Sequence, residues 1–69
     1  MKVQSSTISE IDHEMVKGQL FVKVVFTNGR EYLYEGVPAN IYEAFLKAPS
    51  KGKYLNENIV GRYNYSRVK

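Results

Sequence analysis

The segment Ser50-Lys51-Gly52-Lys53-Tyr54 is where this sequence comes nearest to a binding chemistry. A serine after a proline makes a good helix N-cap, and the backbone N–H groups just behind a cap lack intrahelical partners. Here those groups belong to Lys51, Gly52 and Lys53. They lie at the positive end of the helix dipole, two lysines add charge, and glycine permits close backbone approach. Phosphate is the anion such a cradle suits, although the spacing is not that of a Walker loop. The same five residues also read as an ordinary connection between two helices with solvated lysines. A second cluster follows at Arg62, Tyr63, Tyr65 and Arg67, where bases and aromatics interleave. Single-stranded nucleic acids are held this way, with rings stacked on bases and cations on phosphates. Tyr63 recurs at helical spacing with Leu55 and Ile59 and reads as core. That leaves Arg62, Tyr65 and Arg67 as the candidate contacts, with a plain polar tail as the alternative.

Other reactive residue types are sparse. His13 stands among Glu10, Asp12 and Glu14, but no second His and no Cys is present at ligand spacing. It reads as a surface histidine at a strand end. Ser5 and Ser6 have no evident base or orienting carboxylate, so neither has the setting of a nucleophile. Glu31 and Glu35 read as solvated carboxylates on a hairpin. The sequence therefore predicts no catalytic constellation, no metal site and no cofactor.

The elements that must position these residues begin with Leu20–Phe26, where Leu20, Val22, Val24 and Phe26 alternate with Phe21, Lys23 and Val25: a strand. A turn follows at Asn28-Gly29. A two-residue turn would set Tyr32 and Tyr34 on the Lys23 face. A three-residue loop, Thr27-Asn28-Gly29, ends in a glycine suited to a left-handed bulge and pairs Val24 with Tyr32 and Val22 with Tyr34. That choice gathers Leu20, Val22, Val24, Tyr32 and Tyr34 on one apolar face, and a one-residue slip would reverse them all. The longer loop is the expected one, with the two tyrosines as core rather than as a stacking platform.

Upstream, residues 3–13 predict a strand. Ile8 and Ile11 are three apart, which breaks strict alternation and calls for a bulge near Ser9 and Glu10. Residues 14–18 read as a loop. Downstream, Val37-Pro38 ends the hairpin and opens a helix. Ile41, Ala44, Phe45 and Ala48 form its apolar stripe, widened by Tyr42 and Leu46. Pro49 ends that helix. A second helix runs from about Lys51 to Val60, with Gly61 near its end. Residues 63–69 read as a tail or a short final strand. The expected fold is α+β: a three-stranded antiparallel meander followed by two short helices packed on one face. The other face stays partly open, with Phe21 and Val25 on it.

Sixty-nine residues make one domain, 1–69, and a chain of this size buries only about 60% of the surface it exposes when unfolded. With no cysteine, disulfides are excluded, and the six Tyr and three Phe are the available bulk for a core. No run approaches the ~18 apolar residues of a membrane span, and the N-terminus lacks the apolar stretch of a secretory signal. A cytoplasmic and complete small protein is the expectation. The net charge of +3 is unevenly spread. Residues 1–46 carry four bases against six acids, and residues 47–69 carry six bases against one acid. A positive field in the last third favours anionic partners, although a charged surface also serves solubility alone.

Taken together, Val3, Ser5, Ser6 and Ile8, then Tyr32-x-Tyr34 with Val37-Pro38, and finally Ala48-Pro49-Ser50-x-Gly52 with Tyr54, Asn56, Ile59 and Tyr63 form a pattern that resembles the KTSC domain. That family is named for its occurrence at the C-terminus of some lysyl-tRNA synthetases and also occurs as free-standing bacterial or phage proteins. The resemblance runs from Val3 to about Tyr65 and departs from the family at His13-Glu14, where an aromatic followed by Asp is usual. It implies RNA binding. The functional expectation is a non-catalytic nucleic-acid-binding module using Ser50, Lys51, Gly52, Lys53, Arg62, Tyr65 and Arg67. The alternative is an adaptor that meets a larger protein assembly through the open sheet face around Phe21 and Val25. The sequence does not set the oligomeric state.

Overall fold

In the computed structural model, residues 1–68 are described. Lys69, the last residue of the expected tail or strand, lies outside them. The elements in chain order are β1 (Ile8–Val16), β2 (Gln19–Phe26), β3 (Glu31–Glu35), α1 (Ala39–Lys47), α2 (Lys51–Asn58) and β4 (Tyr65–Arg67). The strands form one antiparallel sheet in the order β1-β2-β3-β4. The sheet thus has four strands rather than the three expected. The fourth comes from the segment that read as tail or strand, and it pairs Tyr34 with Tyr65 and Tyr32 with Arg67.

The β2–β3 hairpin has the three-residue loop. Val24 faces Tyr32 and Val22 faces Tyr34. Gly29 N–H donates to the Phe26 carbonyl at 2.9 Å, Phe26 N–H donates to Arg30 at 2.8 Å, and Gly29 has φ +91°. That left-handed conformation is open to glycine at no steric cost, so Asn28-Gly29 sets the register. Burial agrees with it, since Val22 and Val24 are fully buried and Tyr34 is 3% exposed.

In β1 the register shifts between Ile8 and Glu10, leaving Ser9 bulged. The Ser9 hydroxyl donates to the Val25 carbonyl at 3.2 Å. The extra residue turns a spacing of three into one face, and Ile8 and Ile11 both lie at 0% exposure. Residues 14–18 are not a loop. β1 continues to Val16, and only Lys17 and Gly18 turn, with φ +51° and +77°. Two positive φ values match the twist of a tight hairpin. Lysine at the first of them conceals the turn in the sequence.

Pro38 stands just before α1, its carbonyl accepting from Ile41 and Tyr42 N–H at 3.1 Å. Phe45 is the fully buried centre of α1, flanked by half-buried Ile41, Tyr42, Leu46 and Ala48, while Ala44 faces solvent. Ala48 is extended (ψ 136°), as a residue before proline prefers. In α2, Leu55 is buried and Ile59, the C-cap residue, is buried beside it. The helix ends at Asn58 rather than Val60. Beyond it the chain turns, with Val60 N–H on the Leu55 carbonyl and Arg62 N–H on the Ile59 carbonyl. The two helices clasp through Phe45 and Tyr54, whose rings stack at 5.8 Å, while the Tyr54 hydroxyl donates to the Ile41 carbonyl.

Candidate nucleic-acid interface

Ser50 caps α2 as its sequence position predicts. Its hydroxyl accepts from Lys53 N–H at 3.4 Å, and its carbonyl accepts from Tyr54 N–H at 3.0 Å. Of the three N–H groups expected to face an anion, that of Lys53 is therefore taken up by the cap. The Lys51 ammonium also turns inward and donates to the Ala48 carbonyl at 3.0 Å. Lys53 is exposed. Gly52 sits against the N-terminal loop: a Cβ there would meet Thr7 at 3.7 Å, an ordinary contact. A small polar cleft of about 220 Å³ opens between this loop and the helix start, lined by Gln4, Ser5, Ser6, Pro49, Ser50 and Lys51. The loop holds its shape through Ser5, whose hydroxyl accepts from Thr7 and Ile8 N–H. It is tied to the β2–β3 turn by Thr27 N–H on the Thr7 carbonyl and by the Thr27 hydroxyl on the Ser6 carbonyl. Gln4, Ser5 and Ser6 are additions to the site that a reading by local spacing could not supply.

Arg62, Tyr65 and Arg67 lie elsewhere. Arg62 is exposed, and its Nε donates to the Glu57 carbonyl at 3.3 Å. It lines a polar cleft of about 510 Å³ with Glu35, Gly61, Tyr63, Asn64, Tyr65 and Ser66, at the end of the sheet where β3 leaves. Ser50–Lys53 lies at the other end, beside the β2–β3 turn. The fold thus separates Arg62 from the two lysines instead of gathering them at one point. Tyr65 and Arg67 project from β4 on the face shared by Tyr32 and Tyr34. Tyr65 is 59% exposed, with its ring 5.3 Å from Tyr32 and 5.7 Å from Tyr34. Phe26 meets Tyr32 edge-on at 5.4 Å. The result is an aromatic row that starts in the core and ends in solvent at the open edge of β4. Burial, and then the nearby Tyr32 and Tyr65, push the Tyr34 hydroxyl above its ordinary pKa. Tyr63 is half-buried against the core.

Register assigns the remaining charges to faces. Glu10, Asp12 and Glu14 of β1 and Glu31 and Glu35 of β3 share the outer face of the sheet with Lys23. Phe21 and Val25 lie on that face as expected and are half-buried, with Leu33 beside them. Five of the seven acids thus occupy the face turned away from the helices. His13 is at the surface as expected, but within β1 rather than at its end. It is on the helix side of β1, its Nδ1 3.0 Å from the Tyr42 hydroxyl and its ring 5.0 Å from that ring. Burial and the charge of Asp12 raise the Tyr42 hydroxyl above its ordinary pKa. Among the described residues no group of three or more His, Asp or Glu could hold a metal ion. No helix is long and apolar enough to cross a membrane.

An antiparallel sheet covered on one face by two helices, with a capped helix start and an aromatic strand edge, defines a small α+β domain. This chain belongs to the KTSC domain family, whose model matches residues 4–63. A KTSC domain protein from Yersinia pestis, solved by crystallography, superposes with a TM-score of 0.85 at 28% identity, over 100% of this chain and 94% of that one. A free-standing uncharacterised protein of Stutzerimonas stutzeri is 31% identical over 96% of this chain and 92% of its own length. A lysine–tRNA ligase of Trichormus variabilis is 32% identical over 99% of this chain. The chain spans only 12% of that ligase's length.

Proposed function

We propose that this domain is a non-catalytic, cytoplasmic RNA-binding module that takes single-stranded RNA along the β4 edge and the start of α2. The observation that carries the reading is the segregation of charge. Five of the seven acids crowd the outer sheet face, while Lys53, Arg62 and Arg67 lie off it, Arg62 and Arg67 near an exposed aromatic, Tyr65. An RNA approaching from the helix and β4 side meets cations for its phosphates and a ring for a base. The relative that is a lysine–tRNA ligase acts on an RNA, which agrees with this chemistry. The separation of Arg62 from Lys53 implies an extended track over several nucleotides, not a single phosphate pocket.

The test is a titration of fluorescently labelled single-stranded RNA at low and moderate salt. Binding should weaken steeply with salt, by a log–log slope of about 0.7 per phosphate contact. Tyr65→Ala should cost ~1–3 kcal/mol, the range for one stacked base. Lys53→Glu should weaken binding and flatten the salt dependence. Absence of binding at low salt, or affinity untouched by both substitutions, rejects the proposal.

A further inference from the structure

The expected adaptor surface around Phe21 and Val25 is half-buried, but the strand edge next to it is open. β1 is an outer strand of the sheet. Its first part is already paired: Ile11 N–H donates to the Met1 carbonyl at 2.8 Å, Val3 N–H donates to Ser9, and Lys2 bridges Glu10 in antiparallel sense. Since Ile11 N–H points away from β2, ladder alternation also turns the main-chain groups of His13 and Met15 outward. Among the described residues nothing pairs with them. The N-terminal segment pairs with β1 as far as Ile11, and the rungs at His13 and Met15 are unpaired among the described residues.

Beside those rungs, on the helix side, lies a cleft of about 720 Å³ with mostly apolar walls, including His13, Met15, Leu20, Val37, Tyr42 and Glu43. Met15 is 61% exposed and Val16 38%, an apolar pair on an unprotected strand edge. Natural proteins usually guard such edges against pairing. On the outer side of the same rungs stands Glu14, exposed and with no ion-pair partner among the described residues. A second copy of this chain is a poor occupant. Antiparallel pairing of His13 with Met15 of another copy would set one Glu14 directly opposite the other, and facing like charges repel.

We infer that the His13–Val16 edge of β1 is a strand-addition site for an extended segment of a partner protein. That segment carries an apolar–basic–apolar sequence, its apolar residues turned to the cleft and its basic residue facing Glu14. Main-chain pairing supplies the affinity, and the alternating side chains supply the selectivity. The site is separate from the RNA track at β4, which lies on the opposite edge of the sheet.

The probe is the peptide acetyl-Thr-Val-Lys-Val-Thr-amide, titrated into the isotope-labelled full chain and followed by residue-level chemical shifts. Saturable shifts are expected at the His13–Val16 amides and at Leu20 and Tyr42. Glu14→Lys should weaken binding by roughly threefold to tenfold, as facing charges contribute across a strand pair. A peptide with Glu in place of Lys should recover that loss on the variant. N-methylation of the peptide along its pairing edge should abolish the shifts. The proposal falls if no saturable shift arises at millimolar peptide, if N-methylation leaves binding intact, or if the shifts cluster at Lys53 and Tyr65. It also falls if His13–Val16 resonances move with the protein's own concentration, which would identify a second copy as the occupant.

Discussion

The Met1 ammonium donates to the Ile11 carbonyl at 2.9 Å and to the Asp12 carboxylate at 2.7 Å. Its hydrogen bond holds the Asp12 carboxyl below the ordinary value of 3.8. A carboxyl depressed by folding stabilises the native state above its unfolded value, and the gain is lost as pH falls through the lower folded value. Both partners are near half exposure, so the contribution is a few tenths of a kcal/mol, within the ~0.2–1 kcal/mol of exposed pairs. Asp12→Asn should therefore lower stability in urea titrations at neutral pH, and the difference from wild type should vanish well below pH 3.8. Ser50 allows a second check at the same scale. Its cap bond is long, at 3.4 Å, so Ser50→Ala should cost about 0.5–1 kcal/mol, the lower part of the range for caps, while Ser50→Asp should keep most of it. Urea midpoints measure both.

Among the elements, those whose signals were local were legible in the sequence. Asn28-Gly29 with the burial argument set the β2–β3 register, the three-residue spacing of Ile8 and Ile11 announced the bulge, and Pro49-Ser50 marked where α1 stops and α2 starts. What stayed hidden depended on distant partners. β4 has only three residues, all exposed, so no apolar alternation betrays it, and its extended form comes from the open edge of β3. The cleft beside β1 joins His13 to Tyr42 across β2, β3 and the start of α1. The Ser5–Ser6 wall of the α2 cleft is likewise remote in sequence. The β1–β2 turn is masked in the sequence because Lys17, not Asn or Gly, holds φ +51°. Lys17→Asn should relieve that mismatch and raise stability by roughly 0.5–1 kcal/mol, the scale of favourable turn substitutions. A higher melting temperature would be the signature.

At the scale of the whole molecule the sheet divides the labour. Its inner face builds the core, its outer face collects acids, and its two edges point at different chemistries. The β4 edge offers an aromatic among bases, and the β1 edge offers main-chain groups unpaired among the described residues beside an apolar cleft. One feature of this arrangement bears on the order in which the structure assembles. Turns of two and three residues join β1 to β2 and β2 to β3, so their pairing closes only short loops. Tyr34 meets Tyr65 across a stretch of chain that holds both α1 and α2. Closing the longer loop costs more chain entropy, so β4 pairing is expected after the two hairpins. The same asymmetry lets β4 detach by itself, as a local opening far less costly than global unfolding. In native-state hydrogen exchange the Val68 amide, bonded to the Glu31 carbonyl at 2.8 Å, should exchange with little dependence on denaturant. Val22 and Val24 amides should exchange only through global unfolding. The last strand to arrive is then the first to leave, and an RNA that grips Tyr65 and Arg67 would slow its departure.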